Sequence, residues 1–221
     1  MTVRVVLAWS SGKDSAWALH ALRRDPRVTV VGLLTTVNAA HDRVAMHAVR
    51  RRLLLAQADA AGLPVRIAEI PSPCPNETYE AVMAEAVAAL RAEGVEAIAF
   101  GDLFLEDVRR YRERQMAGTG LALMFPLWGR ATSELAIEMI EGGLRAHITC
   151  VDPRVMPASF AGRAFDVTLL RDLPAAVDHC GENGEFHTFA WDGPMFKHPV
   201  PVEPGEVVER DGFVFADLVP A

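Results

Sequence analysis

Cysteine is scarce and scattered: Cys74, Cys150 and Cys180, with no C-x-x-C pair. That pattern argues against a disulfide framework or a four-thiolate zinc site and fits a reducing compartment. A basic surplus is also missing, since 22 Lys and Arg face 29 Asp and Glu for a net charge of −7. Chains that wrap nucleic acid usually show the reverse balance. No apolar run approaches the roughly 20 residues of a membrane span. The start, Met1 to Leu7, enters a strand pattern at once, without the apolar core and small-residue cleavage site of a signal peptide. A cytoplasmic location away from membranes is the expectation. Two phosphate-binding signatures are absent as well. No glycine precedes Gly12-Lys13 at Walker A spacing and Asp14 follows where that motif has Ser or Thr; G-x-G-x-x-G does not occur. Neither an internal repeat nor a low-complexity linker is present.

What is there suits one globular domain, or one domain with a smaller appended lobe: 221 residues, 51% hydrophobic. Short apolar runs alternate with amphipathic stretches. Strands are predicted at Val3–Trp9, Val28–Val37, Val65–Ile70 and Val95–Phe100. Helices are predicted at Asp14–Arg24, Met46–Ala61 and Asn76–Glu93, the last capped by Asn76 and ended by Gly94. This β-α-β-α rhythm implies a parallel sheet covered by helices on both faces. Further on, Glu106–Ala117 and Thr132–Glu141 read as helices, and Leu121–Phe125 and Leu144–Val151 as strands. Late strands are expected at His187–Trp191 and Val207–Phe215.

The strongest local signal is the loop Ser10-Ser11-Gly12-Lys13-Asp14-Ser15, between a strand and a helix. Free N–H groups at a helix start attract phosphate, and the helix dipole adds to that. Gly12 lets the backbone come close to an anion. Ser10, Ser11 and Ser15 offer hydroxyls and Lys13 a point charge. Asp14 can cap the helix or help orient magnesium. An ordinary turn using serines to cap a helix has the same appearance.

Two acidic elements follow. Gly101-Asp102 ends the fourth predicted strand, where ligands of open parallel sheets bind; Asp102 can coordinate Mg²⁺, orient an acceptor, or simply cap the next helix. Cys180-Gly181-Glu182-Asn183-Gly184-Glu185-Phe186-His187 reads as a tight turn. Glu182 and Glu185 can face one pocket with His187, or the segment is a plain polar turn. His179, Cys180 and His187 hint at zinc but lack a fourth ligand. Of Arg109, Arg110, Arg112 and Arg114, one or two could meet a substrate carboxylate while the rest are solvated. His47 reads as a solvated histidine, and Trp9 and Trp17 as core.

Residues 10–15 resemble the S-G-G-x-D-S signature of PP-loop ATP pyrophosphatases, with Ser11 in place of a glycine. Serine is small enough for the loop to form unless that position requires positive φ. With Gly101-Asp102, Pro126-Leu127-Trp128, Glu138 to Gly143, and Gly181 to Thr188, the chain to about Pro199 is similar to the diphthine–ammonia ligase family and its prokaryotic relatives. The resemblance implies an α/β fold: an open five-stranded parallel sheet for ATP over residues 1–125, and a smaller family-specific α+β lobe over 126–221. It also implies amidation using ATP and Mg²⁺, in which a carboxylate is adenylated with loss of pyrophosphate and ammonia then displaces AMP. Carried over, residues 10–15 hold the phosphates and Thr35 and Thr36 lie at adenine. Asp14 and Asp102 serve magnesium, Asp102, Glu182 and Glu185 the chemistry, and Asn183 and His187 the substrate. His187 stands where those ligases carry an acidic residue, and the helix at 106–114 departs from their tyrosine-glutamine pattern. Composition rich in alanine and arginine suggests a GC-rich bacterium, so the implied acceptor is a small-molecule or protein carboxylate other than diphthine, a corrinoid precursor being one candidate. No nucleic-acid partner is expected, and a homodimer is compatible with the sequence. Two alternatives stand beside the ligase: an ATP-binding sensor without catalysis, and a PP-loop tRNA-modifying enzyme.

Overall fold

The computed structural model describes residues 2–44 and 47–221. In chain order its strands are β1 (Val3–Ala8), β2 (Val28–Asn38), β3 (Arg43–Val44), β4 (Val65–Ile70), β5 (Ala97–Ala99), β6 (Ala122–Met124), β7 (Arg145–Val151), β8 (Phe186–Asp192), β9 (Val202–Arg210) and β10 (Phe213–Pro220). The helices are α1 (Lys13–Arg24), α2 (Arg51–Ala61), α3 (Asn76–Ala92), α4 (Glu106–Met116), α5 (Thr132–Glu141) and α6 (Val167–Asp172).

Strands β4, β2, β1, β5 and β6 lie side by side and parallel, and β3 adds an antiparallel pair at the far end of β2. Burial on both faces explains the continuous apolar runs Val5–Ala8 of β1, Val30–Leu34 of β2 and Ala97–Ala99 of β5, whereas the outer β4 carries Arg66 and Glu69. Val5 and Leu7 point into a core shared with α1, α2 and α5, whereas Val6, Leu34 and Ile98 point the other way onto α3 and α4. The second sheet, β8-β7-β10-β9, is antiparallel. It packs against the α1 side of the first, so that Ile148 and Phe189 join Leu7, Trp17 and Leu19 in one cluster. Among the described residues no helix is long and apolar enough to cross a membrane.

The structure alters three details of the sequence reading. Helix α2 starts at Arg51 rather than Met46, because Arg43–Val44 pairs with β2 and Arg50 forms a bridge to Arg43; Met46 itself lies outside the described residues. The segment Val207–Phe215 is not one strand. Asp211 and Gly212 both take positive φ, 52° and 78°, and make a tight hairpin between β9 and β10. Asn76 is the first residue inside α3, with Pro75 at the N-cap and no side-chain cap bond.

Candidate functional site

A cleft of about 410 Å³ opens beyond the carboxyl ends of the parallel strands, the usual ligand position in such sheets. The phosphate loop forms its floor. Gly12 caps α1 without a side-chain bond. Gly12 N reaches Ser10 Oγ at 3.3 Å, and Lys13 N donates to Thr188 Oγ1 at 3.0 Å. The amides of Ser10, Ser11, Asp14 and Ser15 find no acceptor among the described residues. Free donors grouped at a helix start suit an anion. Gly101 backs onto this turn: a Cβ there would lie 3.0 Å from Asp14 C and Ser15 N.

Ser11 takes φ 71°, a left-handed conformation that a glycine would adopt without strain. Its side chain is fully buried, and Oγ has no partner among the described residues. Ser11 is thus part of the scaffold under the loop. Its carbonyl accepts from Ala190 N at 2.9 Å and from Gln57 Nε2 at 3.0 Å.

Lys13 does not project a free charge into the cleft. It is 1% exposed. Its ammonium binds Asp14 at 2.8 Å, donates to the Cys180 carbonyl, and sits between the rings of Phe165 and Phe186. Burial works to lower its pKa, but Asp14 and the neighbouring acidic groups outweigh that and raise it. The lysine therefore ties the loop to the second sheet.

The turn at 178–185 is built by two carboxylates. Asp178 Oδ2 accepts from the amides of Cys180 and Glu182. Glu185, 5% exposed, accepts from the amides of Asp178 and Asn183 and from Asn183 Nδ2, each at 3.0 Å. Positive φ at Gly181 and Gly184 lets the chain wrap round them. This separates the residues that the sequence groups together. Glu182 and His187 line the cleft, whereas Glu185 and Asn183 do not; those two hold the turn. Glu182 accepts from Leu103 N at 2.7 Å. Burial lifts its pKa to about 7, the Leu103 amide opposing and Asp14 assisting.

Asp14, Ser10, Ser15, Thr35, Thr36 and Asp102 also line the cleft. Thr35 Oγ1 is buried without a partner among the described residues. Several other members carry no motif. His47, read as solvated, faces His187 with ring centroids 4.7 Å apart and contacts Thr188 O through Nδ1 at 3.0 Å. Burial holds its pKa down to about 4, and burial with His47 alongside holds His187 down to about 3, so both rings are neutral at pH 7. Arg112 enters from α4, which carries Leu105, Val108 and Arg112 on one face. Only that i, i+3, i+7 spacing could have singled it out. Among the described residues no three His, Cys, Asp or Glu side chains converge as a metal site, so the zinc grouping of His179, Cys180 and His187 does not form.

Two family profiles cover the chain: the diphthamide synthase N-terminal domain matches residues 3–123 and the diphthamide synthase C-terminal domain matches residues 131–215. Among curated proteins, diphthine–ammonia ligase of Bos taurus is 28% identical over 184 residues, 80% of this chain and 68% of the relative. The protein of the same name from Rattus norvegicus is 25% identical over 238 aligned residues, 98% of this chain and 89% of the relative. That of Homo sapiens is 28% identical over 184 residues, with the same coverage as the bovine protein.

Proposed function

Because the chain belongs to the diphthamide synthase family, we propose that it is an ATP-dependent ligase joining a carboxylate to ammonia through an acyl-adenylate. One observation carries the reading: unpartnered amides at the start of α1 share a cleft with Glu182, a carboxylate whose pKa is lifted to about 7. The first group suits phosphate, the second proton transfer.

ATP lies with its phosphates on residues 10–15 and its nucleoside toward Thr35 and Thr36, where the buried Thr35 hydroxyl lacks a partner among the described residues. An acceptor carboxylate oxygen bonds to the α-phosphorus while the α–β bridging bond breaks, and pyrophosphate leaves. Ammonia nitrogen then bonds to the acyl carbon, the bond to AMP breaks, and one proton departs. Glu182, ionised above pH 7, takes that proton. Asp14 and Asp102 are the residues that would hold magnesium, which needs only one or two protein carboxylates when phosphate supplies further oxygens. When bound, the metal neutralises phosphate charge. His47 and His187, as neutral rings, add donors beside the phosphates without a competing fixed charge.

Calorimetric titration with Mg²⁺ and ATP, AMP or an α,β-non-hydrolysable analogue tests the reading. Micromolar binding of ATP and the analogue is expected, with strong loss in Asp14→Asn, whose fold is checked by circular dichroism. Absence of nucleotide binding in the wild type would end the proposal. Binding with no pyrophosphate release under any acid, and no change in Glu182→Gln, would leave a nucleotide sensor instead.

A further inference from the structure

We infer that the acceptor carries a second anionic group, read by Arg112, so that this end of the cleft selects dicarboxylic over cationic acids. The inference rests on the ligase reading, since it names the substrate class of the same cleft.

Arg112 lines the cleft from α4, its guanidinium 4.7 Å from the centre of the Phe100 ring. Stacking fixes the plane of the fork without using its donors. One polar bond holds it, Nε to Asp102 Oδ2 at 3.4 Å, well beyond the 2.7–2.9 Å of a good charge-assisted bond. Both terminal nitrogens have no partner among the described residues. Arg109, by contrast, is not among the residues that line the cleft; it stacks on Phe125 and Trp128, and its Nε pairs with Glu113 at 3.0 Å.

Leu105 and Val108, on the same helical face as Arg112, line this cleft, as do Met83 and Tyr79. An aliphatic wall leading to an oriented, unsatisfied guanidinium fits a short chain ending in a carboxylate or phosphate. The reacting carboxylate lies beyond Asp102, toward Glu182, which accepts from the Leu103 amide. A cationic tail in the same place would face like charge across a partly dehydrated gap. The fork could instead read a phosphate of ATP itself, and the test separates the two sources.

Butyrate, glutarate and 4-aminobutyrate share one body and differ in the far end: neutral, anionic and cationic. Each is titrated into protein saturated with Mg²⁺ and the α,β-non-hydrolysable ATP analogue, and the series is repeated one methylene shorter and longer. At one length the dicarboxylate should bind roughly tenfold or more tighter than the neutral acid, the effect of one charged hydrogen bond, with the amino acid weakest. Arg112→Gln should erase the difference while nucleotide affinity stays unchanged, and Arg112→Lys should restore part of it. Equal binding of the three, or none at any length, overturns the inference. Nucleotide affinity falling in Arg112→Gln as far as acid affinity also overturns it, because the fork then reads phosphate. Failure of the ligase reading looks different: the nucleotide itself does not bind the wild-type protein.

Discussion

Ser11 sits at a left-handed φ of 71° with a buried, unpartnered hydroxyl. That conformation costs a non-glycine residue roughly 1–2 kcal/mol. Glycine gives back roughly 0.5–1 kcal/mol through its freer unfolded chain. Ser11→Gly is therefore expected to stabilise by about 1 kcal/mol, raising Tm by about 2–4 °C for a chain of this size. A fall in Tm would mean the hydroxyl has a structural partner. Glu182 gives a pH signature. Its folded pKa, about 7, lies above the unfolded value near 4.5, so the folded state holds the proton more tightly and stability declines as pH rises from 4.5 through 7. Glu182→Gln removes that decline: its melting temperature should match wild type near pH 4 and exceed it at pH 8, while pyrophosphate release falls. Wild-type turnover should climb through pH 7 as the carboxylate ionises.

Gln57 works at the scale of elements. Fully buried on α2, it accepts from Trp9 Nε1 at 3.0 Å and donates to the carbonyls of Ser11 and Ala190. It thereby locks β1, the phosphate loop and β8 to one helix. Gln57→Ala strands a buried indole N–H and takes a donor from the Ala190 and Ser11 carbonyls, the latter keeping its bond from Ala190 N, and should cost about 3 kcal/mol in denaturant unfolding. A loss under about 1 kcal/mol would show that water replaces the amide. Nothing in the sequence marks Gln57, because its partners lie far along the chain. Elements with local punctuation were legible: β4 follows Gly62 and Pro64, and α5 stops at Gly142 and Gly143. The start of α2 was not, since Arg50 at its N-cap makes no side-chain capping bond and offers no start signal. The Asp211-Gly212 turn was visible as a dipeptide, but the β-branched run on either side masked it. In the site, local motif reading located Ser10, Asp14, Asp102 and Glu182. It could not separate Glu182 from Glu185, because their opposite orientations follow from positive φ at Gly181 and Gly184.

At the scale of the whole molecule, the two sheets are parts of one packed body. Leu7 and Trp17 share a cluster with Phe186, Phe189 and Met195, and Asp217 on β10 pairs with Arg43 and Arg50 beside the first sheet. Glu182 and His187 come from the second sheet and its turn, and the amides from the first, so the cleft exists only while the sheets stay together. Lys13 lies on that seam. The protein has two lysines, Lys13 and Lys197, of which Lys197 is exposed and Lys13 has its amine fastened to Asp14 and Cys180. An amine-acylating reagent should mark Lys197 within seconds and leave Lys13 unmodified, except in molecules whose sheets have momentarily parted. Mass spectrometry of Lys13 acylation over time would then clock that parting directly, with Gln57→Ala quickening it, and the cell's own acyl donors would find in this lysine a record of how often the enzyme comes open.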